Sequence, residues 1–273
     1  METRFWKYEG AGNDFVMLDM RGGRYDGDLD SEMVRRMCDR RRGVGGDGLI
    51  ALLDGEAGYD FRMRYFNADG GEAAMCGNGA RCIALLANDL GVAPRTMRFI
   101  GADGEHRAQV LPGGEVRVSM RDVESCAPLG NTSFLLDTGV PHYVEFAEDV
   151  DALDVFHLGR QLRNDGRFAA LGGVNVNFAQ VLPDGSLKLR TYERGVEDET
   201  LACGTGAVAT AIAAHLFLQS GYTPRSANAE SGVLVHARGG DLCVRFEAAD
   251  NQNFRNIVLC GPARRVFEGV III

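Results

Sequence analysis

Short apolar runs with two-residue alternation occupy more of the chain than helical stripes do. The runs FVMLD (15–19) and YVEF (143–146) read as strands. FRMRYFN (61–67) and SLKLRTYE (186–193) are also strand-like, the latter entered through a Pro183-Asp184-Gly185 turn. Helical spacing is confined to SEMVRRMCDRR (31–41), LGRQLRNDGR (158–167), ARCIALLANDLG (80–91) and AVATAIAAHLFLQSG (207–221). The last two are rich in Ala and Leu, and each ends at a glycine suited to a C-cap, Gly91 and Gly221. Two hairpins, EHRAQVLPGGEVRVSM (105–120) and GVLVHARGGDLCVRF (232–246), turn at Gly-Gly pairs. The apolar tail Gly269–Ile273 reads as a terminal strand that pairs or packs.

These elements recur in the same order in each half. An offset of 127 residues superposes Gly12 on Gly139, Gly45-Gly46 on Gly172-Gly173 and Glu72 on Glu199. It also superposes Cys76-Gly77-x-Gly79-Ala80 on Cys203-Gly204-x-Gly206-Ala207. An offset of 126 aligns the two Gly-Gly hairpins. The period is far too long for a solenoid. The expected class is α+β: two homologous, pseudo-symmetric domains, each a curved, mostly antiparallel sheet around its Cys-led helix. The expected domains are 1–126, completed by a C-terminal strand 262–273, and 127–261.

Composition narrows the function classes. Of 273 residues, 45% are apolar and 25% charged, as in a soluble globular protein. A net charge of −9 argues against nucleic acid as the main partner. No apolar run approaches the roughly 20 residues of a membrane span, and METRFWKYEGAGND carries no apolar signal-peptide core. Seven cysteines, an odd number without a C-x-x-C pair, speak against a zinc ribbon or other metal site and for a reducing, cytoplasmic setting.

The candidate chemistry lies in the two Cys-Gly-x-Gly-Ala segments. Each cysteine opens a predicted helix, whose N-terminus offers unpaired N–H groups and about half a positive charge. Such a position lowers a thiol pKa from about 8.5 to as low as ~3.5–7.5, and the same N–H groups bind carboxylates. One segment alone reads more readily as a small buried Cys in a tight turn. Two at equivalent positions suggest thiols that meet across one cleft. Two such groups on opposite faces of one carbon are what stereoinversion requires: one removes a proton and the other returns one. A pyridoxal-type route needs a Schiff-base lysine. The only lysines, Lys7 and Lys188, fall in strands away from any phosphate-cradling loop, so no cofactor is expected.

The segments GAGNDFVMLD (10–19), RRGVGGDGL (41–49), FNADGGEAAMCGNGARC (66–82), GVPHYV (139–144), VNVNFAQV (174–181) and YERGVEDETLACGTGAVA (192–209) span nearly the whole chain in order. In them the chain resembles the diaminopimelate epimerase family of cofactor-independent two-cysteine racemases. The resemblance implies interconversion of LL- and meso-diaminopimelate, on the bacterial lysine and peptidoglycan route, by a homodimer. It implies Cys76 and Cys203 as the catalytic pair. It implies Gly77-Asn78 and Gly204-Thr205 as the helix tips that hold the reacting carboxylate. Asn13, Asn67 and Asn175 match substrate-binding asparagines, Glu193-Arg194 the pair that grips the far end of the substrate, and His142 a histidine near the catalytic centre. Diaminopimelate has an amino-acid group at each end, so the far end needs a bidentate cation and an acceptor, which Arg194 and Glu193 supply.

Three positions depart from the family pattern. Gly48 stands where the family has a binding Gln, Val140 where it has a binding Asn, and the segment between Arg194 and Cys203 is one residue longer. Taken singly, the asparagines read as turn residues, Glu193-Arg194 as a solvated strand pair and His142 as a loop histidine. Glu72 and Glu199, four residues before each cysteine, read as supports for the local loops. Cys38, Cys82, Cys126, Cys243 and Cys260 read as packing residues, and Arg40-Arg41-Arg42 as solvated or paired with nearby acids. Rival functions are a proline or hydroxyproline racemase, an isomerase of the same fold without the cysteines, and an inactive amino-acid-binding protein. A cyclic amino acid has no second charged end for Glu193-Arg194, and Cys76 with Cys203 argues against the cysteine-free isomerase.

Overall fold

The computed structural model describes residues 2–23, 29–73, 75–219, 232–249 and 252–272. Contacts divide the chain into two units, Met1–Val118 with Gly261–Ile273, and Ser119–Cys260.

In the first unit the strands are β1 (Glu2–Gly10), β2 (Asn13–Asp19), β3 (Gly48–Asp54), β4 (Phe61–Asn67), β5 (Glu72–Ala73), β6 (Thr96–Gly101), β7 (Gly104–Val110) and β8 (Glu115–Ser119). Antiparallel pairs join β1–β2, β3–β4, β4–β5, β6–β7 and β7–β8; parallel pairs join β2–β3 and β4–β6. Parallel neighbours need a crossover, and each crossover here is a helix: α1 (Ser31–Cys38) between β2 and β3, α2 (Gly77–Asp89) between β4 and β6. The C-terminal strand, Arg264–Ile272, pairs antiparallel along β1. Alternation along the strands sends Trp6, Tyr8, Phe15, Met17, Ile50 and Leu52 toward α2. It sends Phe5, Val16, Leu18, Leu49 and Ala51 to the opposite face, with Val34, Met37 and Cys38 of α1. Ten consecutive or nearly consecutive positions of α2, from Gly77 to Ala87, are buried, which makes it the central helix of this unit.

The second unit repeats that plan. Its strands are β9 (Cys126–Pro128), β10 (Ser133–Asp137), β11 (Pro141–Phe146), β12 (Asn175–Val181), β13 (Leu187–Glu193), β14 (Asp198–Thr200), β15 (Val233–Ala237), β16 (Gly240–Ala248) and β17 (Phe254–Pro262). Parallel pairs again fall at two places, β11–β12 and β13–β15, and the other pairs are antiparallel. The crossovers are α3 (Val155–Arg163) and α4 (Gly204–Gln219). Small apolar side chains (Ala207, Ala209, Ala211, Ala213) let α4 sit buried inside its sheet. Position by position, the C-terminal strand stands to β1 as β9 stands to β10, so the first unit borrows its last strand from the far end of the sequence.

Several expectations change. The change of unit falls at Ser119 rather than 127. Residues 119–126 bond inside the second unit, Met120 N–H to the Ile257 carbonyl (2.8 Å) and Val123 to Phe254 in both directions (2.9 and 2.8 Å). Helix α3 begins at Val155, ahead of the expected start at Leu158, because the Asp154 carboxylate accepts the His157 N–H at 3.2 Å and caps it there. It stops at Arg163, and Gly166–Leu171 forms a separate short 3-10 turn capped by Asp165. The Gly-Gly hairpins turn as expected, and Gly91, with φ of 68°, follows the end of α2. Gly221, the glycine expected to close α4, lies outside the described residues. Among the described residues no helix is long and apolar enough to cross a membrane.

Candidate active site

Cys76 is the N-cap of α2. Its backbone is extended (φ −121°, ψ 111°), its carbonyl accepts the Ala80 N–H at 2.8 Å, and its Sγ accepts the Gly79 N–H at 3.4 Å. The same arrangement recurs at α4: the Cys203 carbonyl accepts from Ala207 N–H at 2.9 Å and its Sγ from Gly206 N–H at 3.4 Å. A sulfur held by a helix N–H at the positive end of the dipole is placed to carry negative charge. Gly77 and Asn78 at one tip, Gly204 and Thr205 at the other, supply the remaining N–H groups of the first turn, which point out of the helix end. The glycines leave room for neighbouring side chains. A Cβ on Gly79 would lie 2.7 Å from Ile50 Cδ1, and one on Gly206 would lie 2.4 Å from Asn177 Oδ1.

A polar chain runs from buried Arg81 and Asn78 to exposed Asp47. Asn78 donates to Asn13 Oδ1 and accepts from the Arg81 guanidinium at 2.9 Å, and Asn13 donates to Asp47 at 2.9 Å. Arg81, fully buried, also donates to the carbonyls of Gly77 and Pro262, both at 3.3 Å, so a fixed positive charge lies within the first turns of α2. Asp47 and Asp14 are tied by Arg40 at 2.7 and 2.6 Å, and Lys7 adds an ion pair to Asp14 at 2.7 Å. Burial opposes the Asp14 charge, but hydrogen bonds from Arg40 and Lys7 prevail and hold its carboxyl down at about 2. Lys188, the other lysine, pairs with Asp151.

Asn67 ends β4 exposed, opposite Gly48 on β3, and makes no side-chain hydrogen bond among the described residues. The missing side chain at position 48 has a local cause. A Cβ there would lie 2.5 Å from the Phe66 carbonyl and 2.7 Å from the Tyr65 ring, which packs edge-on against Phe15. Tyr65 thus fills the space that a longer residue at 48 would need.

In the second unit, Asn175 and His142 lie side by side on β12 and β11. Asn175 Oδ1 accepts the Arg194 N–H at 2.7 Å, so this asparagine braces the turn that presents Arg194. One guanidinium nitrogen of Arg194 donates to the carbonyls of Leu171 (3.0 Å) and Gly173 (3.1 Å), which fixes the fork. Glu193 accepts from the Thr200 hydroxyl at 3.0 Å. The longer segment after Arg194 is organised by Glu197, whose carboxylate accepts from Gly195 N–H, Arg163 and Tyr192 at 3.0, 3.1 and 3.3 Å. Val140 is partly buried beside Thr138, whose hydroxyl donates to the Thr205 carbonyl of α4 at 3.3 Å. Glu72 and Glu199 do support their loops: Glu72 takes both Arg64 contacts at 2.9 Å, and Glu199 takes both Arg190 contacts at 2.8 Å and one from Arg238 at 3.1 Å.

His142 is fully buried; burial foremost, with the charge of Arg194, pushes its pKa down to about 3. The unfolded chain binds that proton near 6.5 and the folded chain does not, so stability falls as pH drops from 6.5 toward 3. The expected loss is about 1.4 kcal/mol per pH unit in that window. Urea midpoints at pH 7 and 5 read it directly. His142→Gln should flatten the slope; an unchanged slope would assign the acid lability elsewhere.

The remaining cysteines sit in different surroundings. Burial pushes Cys38 and Cys126 up to about 12 and raises Cys82 further, as suits packing residues. Asp47, Arg81, Asn177 and Thr191 were not singled out from the sequence. The signal for Asn177 was its two-residue spacing from Asn175, which puts both on one face of β12. Among the described residues no group of three His, Cys, Asp or Glu is placed to hold a metal ion.

The sequence profile described as diaminopimelate epimerase matches residues 5–127 and 134–266. The chain belongs to the diaminopimelate epimerase family. A relative of that name from Flavobacterium psychrophilum is 40% identical over 268 residues, covering 98% of this chain and 100% of its own. Another from Chlorobaculum tepidum is 40% identical, covering 96% and 98%. Among solved structures, a PhzF-family phenazine biosynthesis protein from Bacillus anthracis superposes with TM-score 0.72 at 14% identity over 100% of both chains. A probable proline racemase from Agrobacterium radiobacter superposes with TM-score 0.70 at 15% identity, over 99% of this chain and 93% of its own. At such identities these two share the fold with this chain.

Proposed function

We propose that the protein interconverts LL- and meso-diaminopimelate by proton transfer between two thiols, with no cofactor in the reaction. The observation that carries this reading is the repeated tip geometry, in which Cys76 and Cys203 each cap a buried helix and each accept the i+3 N–H at 3.4 Å. One sulfur, as thiolate, takes the α-proton. The other, as thiol, returns a proton to the opposite face. The first-turn N–H groups of Gly77, Asn78, Gly204 and Thr205 bind the carboxylate beside that carbon and stabilise the charge that develops as the proton leaves. Buried Arg81 adds to the positive end of α2. Arg194, pinned by two carbonyls, takes the distal carboxylate, and Glu193 the distal ammonium, with Asn13, Asn67 and Asn175 lining the substrate.

The test is incubation of LL-diaminopimelate in deuterium oxide. Optical rotation should decay toward the meso product, and each inverted centre should carry one deuterium. Retained rotation without exchange would remove the epimerase reading; inversion of proline instead would favour the racemase alternative, which lacks a use for Arg194. The reaction belongs to lysine and peptidoglycan precursor synthesis, and we place it in the cytoplasm, where free thiols persist.

A homodimer is the assembly we propose. The C-terminal strand supports it: Val266, Val270 and Ile272 are 52%, 61% and 72% exposed along one strand. A second copy would cover this apolar surface. Light scattering should report a dimer, and Val270→Glu should shift it to monomer; a dimer undisturbed by that charge would place the interface elsewhere.

A further inference from the structure

We propose that Asn177 is a positioning residue for the isomerase: its side-chain amide holds His142 as the neutral tautomer whose proton is on Nε2, offered as a hydrogen-bond donor. This inference rests on the proposed reaction only for its kinetic consequence. Asn177 is completely buried on β12. Its Nδ2 lies 3.0 Å from the Tyr143 carbonyl and 3.0 Å from His142 Nδ1, and its Oδ1 lies 3.0 Å from the Thr191 hydroxyl. A carbonyl only accepts, so the amide NH2 must face Tyr143; the flipped amide would set two oxygens against each other. The second amide hydrogen then points at His142 Nδ1, which must accept it and carries no proton. A neutral imidazole has one N–H, and it is left on Nε2.

Nε2 is buried and has no hydrogen-bond partner among the described residues. A buried donor without an acceptor is unfavourable and persists where a ligand or a reacting group completes it. Asn177 also touches the other catalytic element of its unit. Its Oδ1 occupies the place of a Cβ at Gly206, a position that itself lies 3.3 Å from Cys203 Sγ. One amide therefore sets both the proton position on His142 and the packing of the first turn of α4. The acceptor for Nε2–H is an anionic group of the substrate complex, a carboxylate oxygen or a thiolate.

The experiment is long-range proton–nitrogen NMR on protein labelled with 15N-histidine, combined with kinetics. In the unaltered protein His142 should show an unprotonated Nδ1 and a protonated Nε2. Asn177→Asp offers an acceptor in place of the donor and should move the proton to Nδ1. It should lower kcat about 10²-fold, the size of losing one preorganised donor, with KM for diaminopimelate changed less than about threefold. Thr191→Val, which keeps the amide, should retain the Nε2–H signature and most of kcat. A wild-type spectrum with the proton on Nδ1 overturns the proposal without reference to any activity, and it needs no variant to fold. A tautomer switch in Asn177→Asp with kcat unchanged also overturns it. An unaltered protein with the Nε2–H signature but no turnover would instead count against the epimerase reading alone.

Discussion

Cys76→Ala and Cys203→Ala are each expected to lose epimerisation by at least about 10³-fold, because on the proposed two-thiol scheme each removes one of the two proton carriers. Serine at either position should leave weak activity, since a hydroxyl that stays un-ionised at a helix tip is a far poorer base than a thiolate. The two sites differ in a way that predicts different side effects. Cys203 is buried and Cys76 only partly buried, so Cys203→Ala leaves more unfilled volume. Both variants also orphan a helix N–H, at Gly79 or Gly206, which removes a cap worth about 1 kcal/mol. Melting temperature measured beside the polarimetric rate separates this modest loss from the catalytic one. Near-normal turnover in a folded Cys203→Ala protein would end the two-thiol scheme.

Arg194→Ala should raise KM for diaminopimelate by about 10²-fold, equivalent to roughly 3 kcal/mol for a charge-assisted pair lost from the distal carboxylate. The size follows from how the side chain is held. Its Nη1 is committed to the Leu171 and Gly173 carbonyls, so the remaining edge of the guanidinium is held in a fixed orientation. Arg194→Lys keeps the charge but cannot bridge two carbonyls and present a planar edge as well, so an intermediate KM is expected. Removing the charge also relieves the electrostatic pressure that keeps His142 neutral, and the His142 pKa should rise in Arg194→Ala. Unchanged affinity for diaminopimelate would mean that the distal end is recognised elsewhere.

The repeat made much of this legible in advance. An offset of 127 residues between Cys76 and Cys203 corresponds to identical strand orders with parallel pairs at the same two places. Local chemistry was readable wherever one or two residues decide it, as at the Gly-Gly hairpins and the cysteine caps. It was less so at some helix ends: α3 is capped by Asp154 and already buries Val155, ahead of the expected start at Leu158. Buried charges were the hardest to foresee. Arg81 and Lys7 read as surface residues by type, and only the assembled sheet shows that carbonyls and carboxylates await them. The asparagines divide for the same reason. Asn13 and Asn175 are engaged by Asp47 and by the Arg194 backbone, whereas Asn67 has its amide open among the described residues.

The strand that the first unit takes from Arg264–Ile272 also orders events during synthesis. Domains generally form as they emerge from the ribosome, the earliest first. Here the sequence from Ser119 to Cys260 is contiguous and has all its strands before the unit that precedes it does. The first 118 residues must wait, with the hydrogen-bonding edge of β1 unpaired, for a segment made more than a hundred residues later. At about 5–20 residues per second that is a delay of several seconds to tens of seconds. During it β1 is open to pairing with other nascent chains, so the part of the protein made first is the last to be sealed.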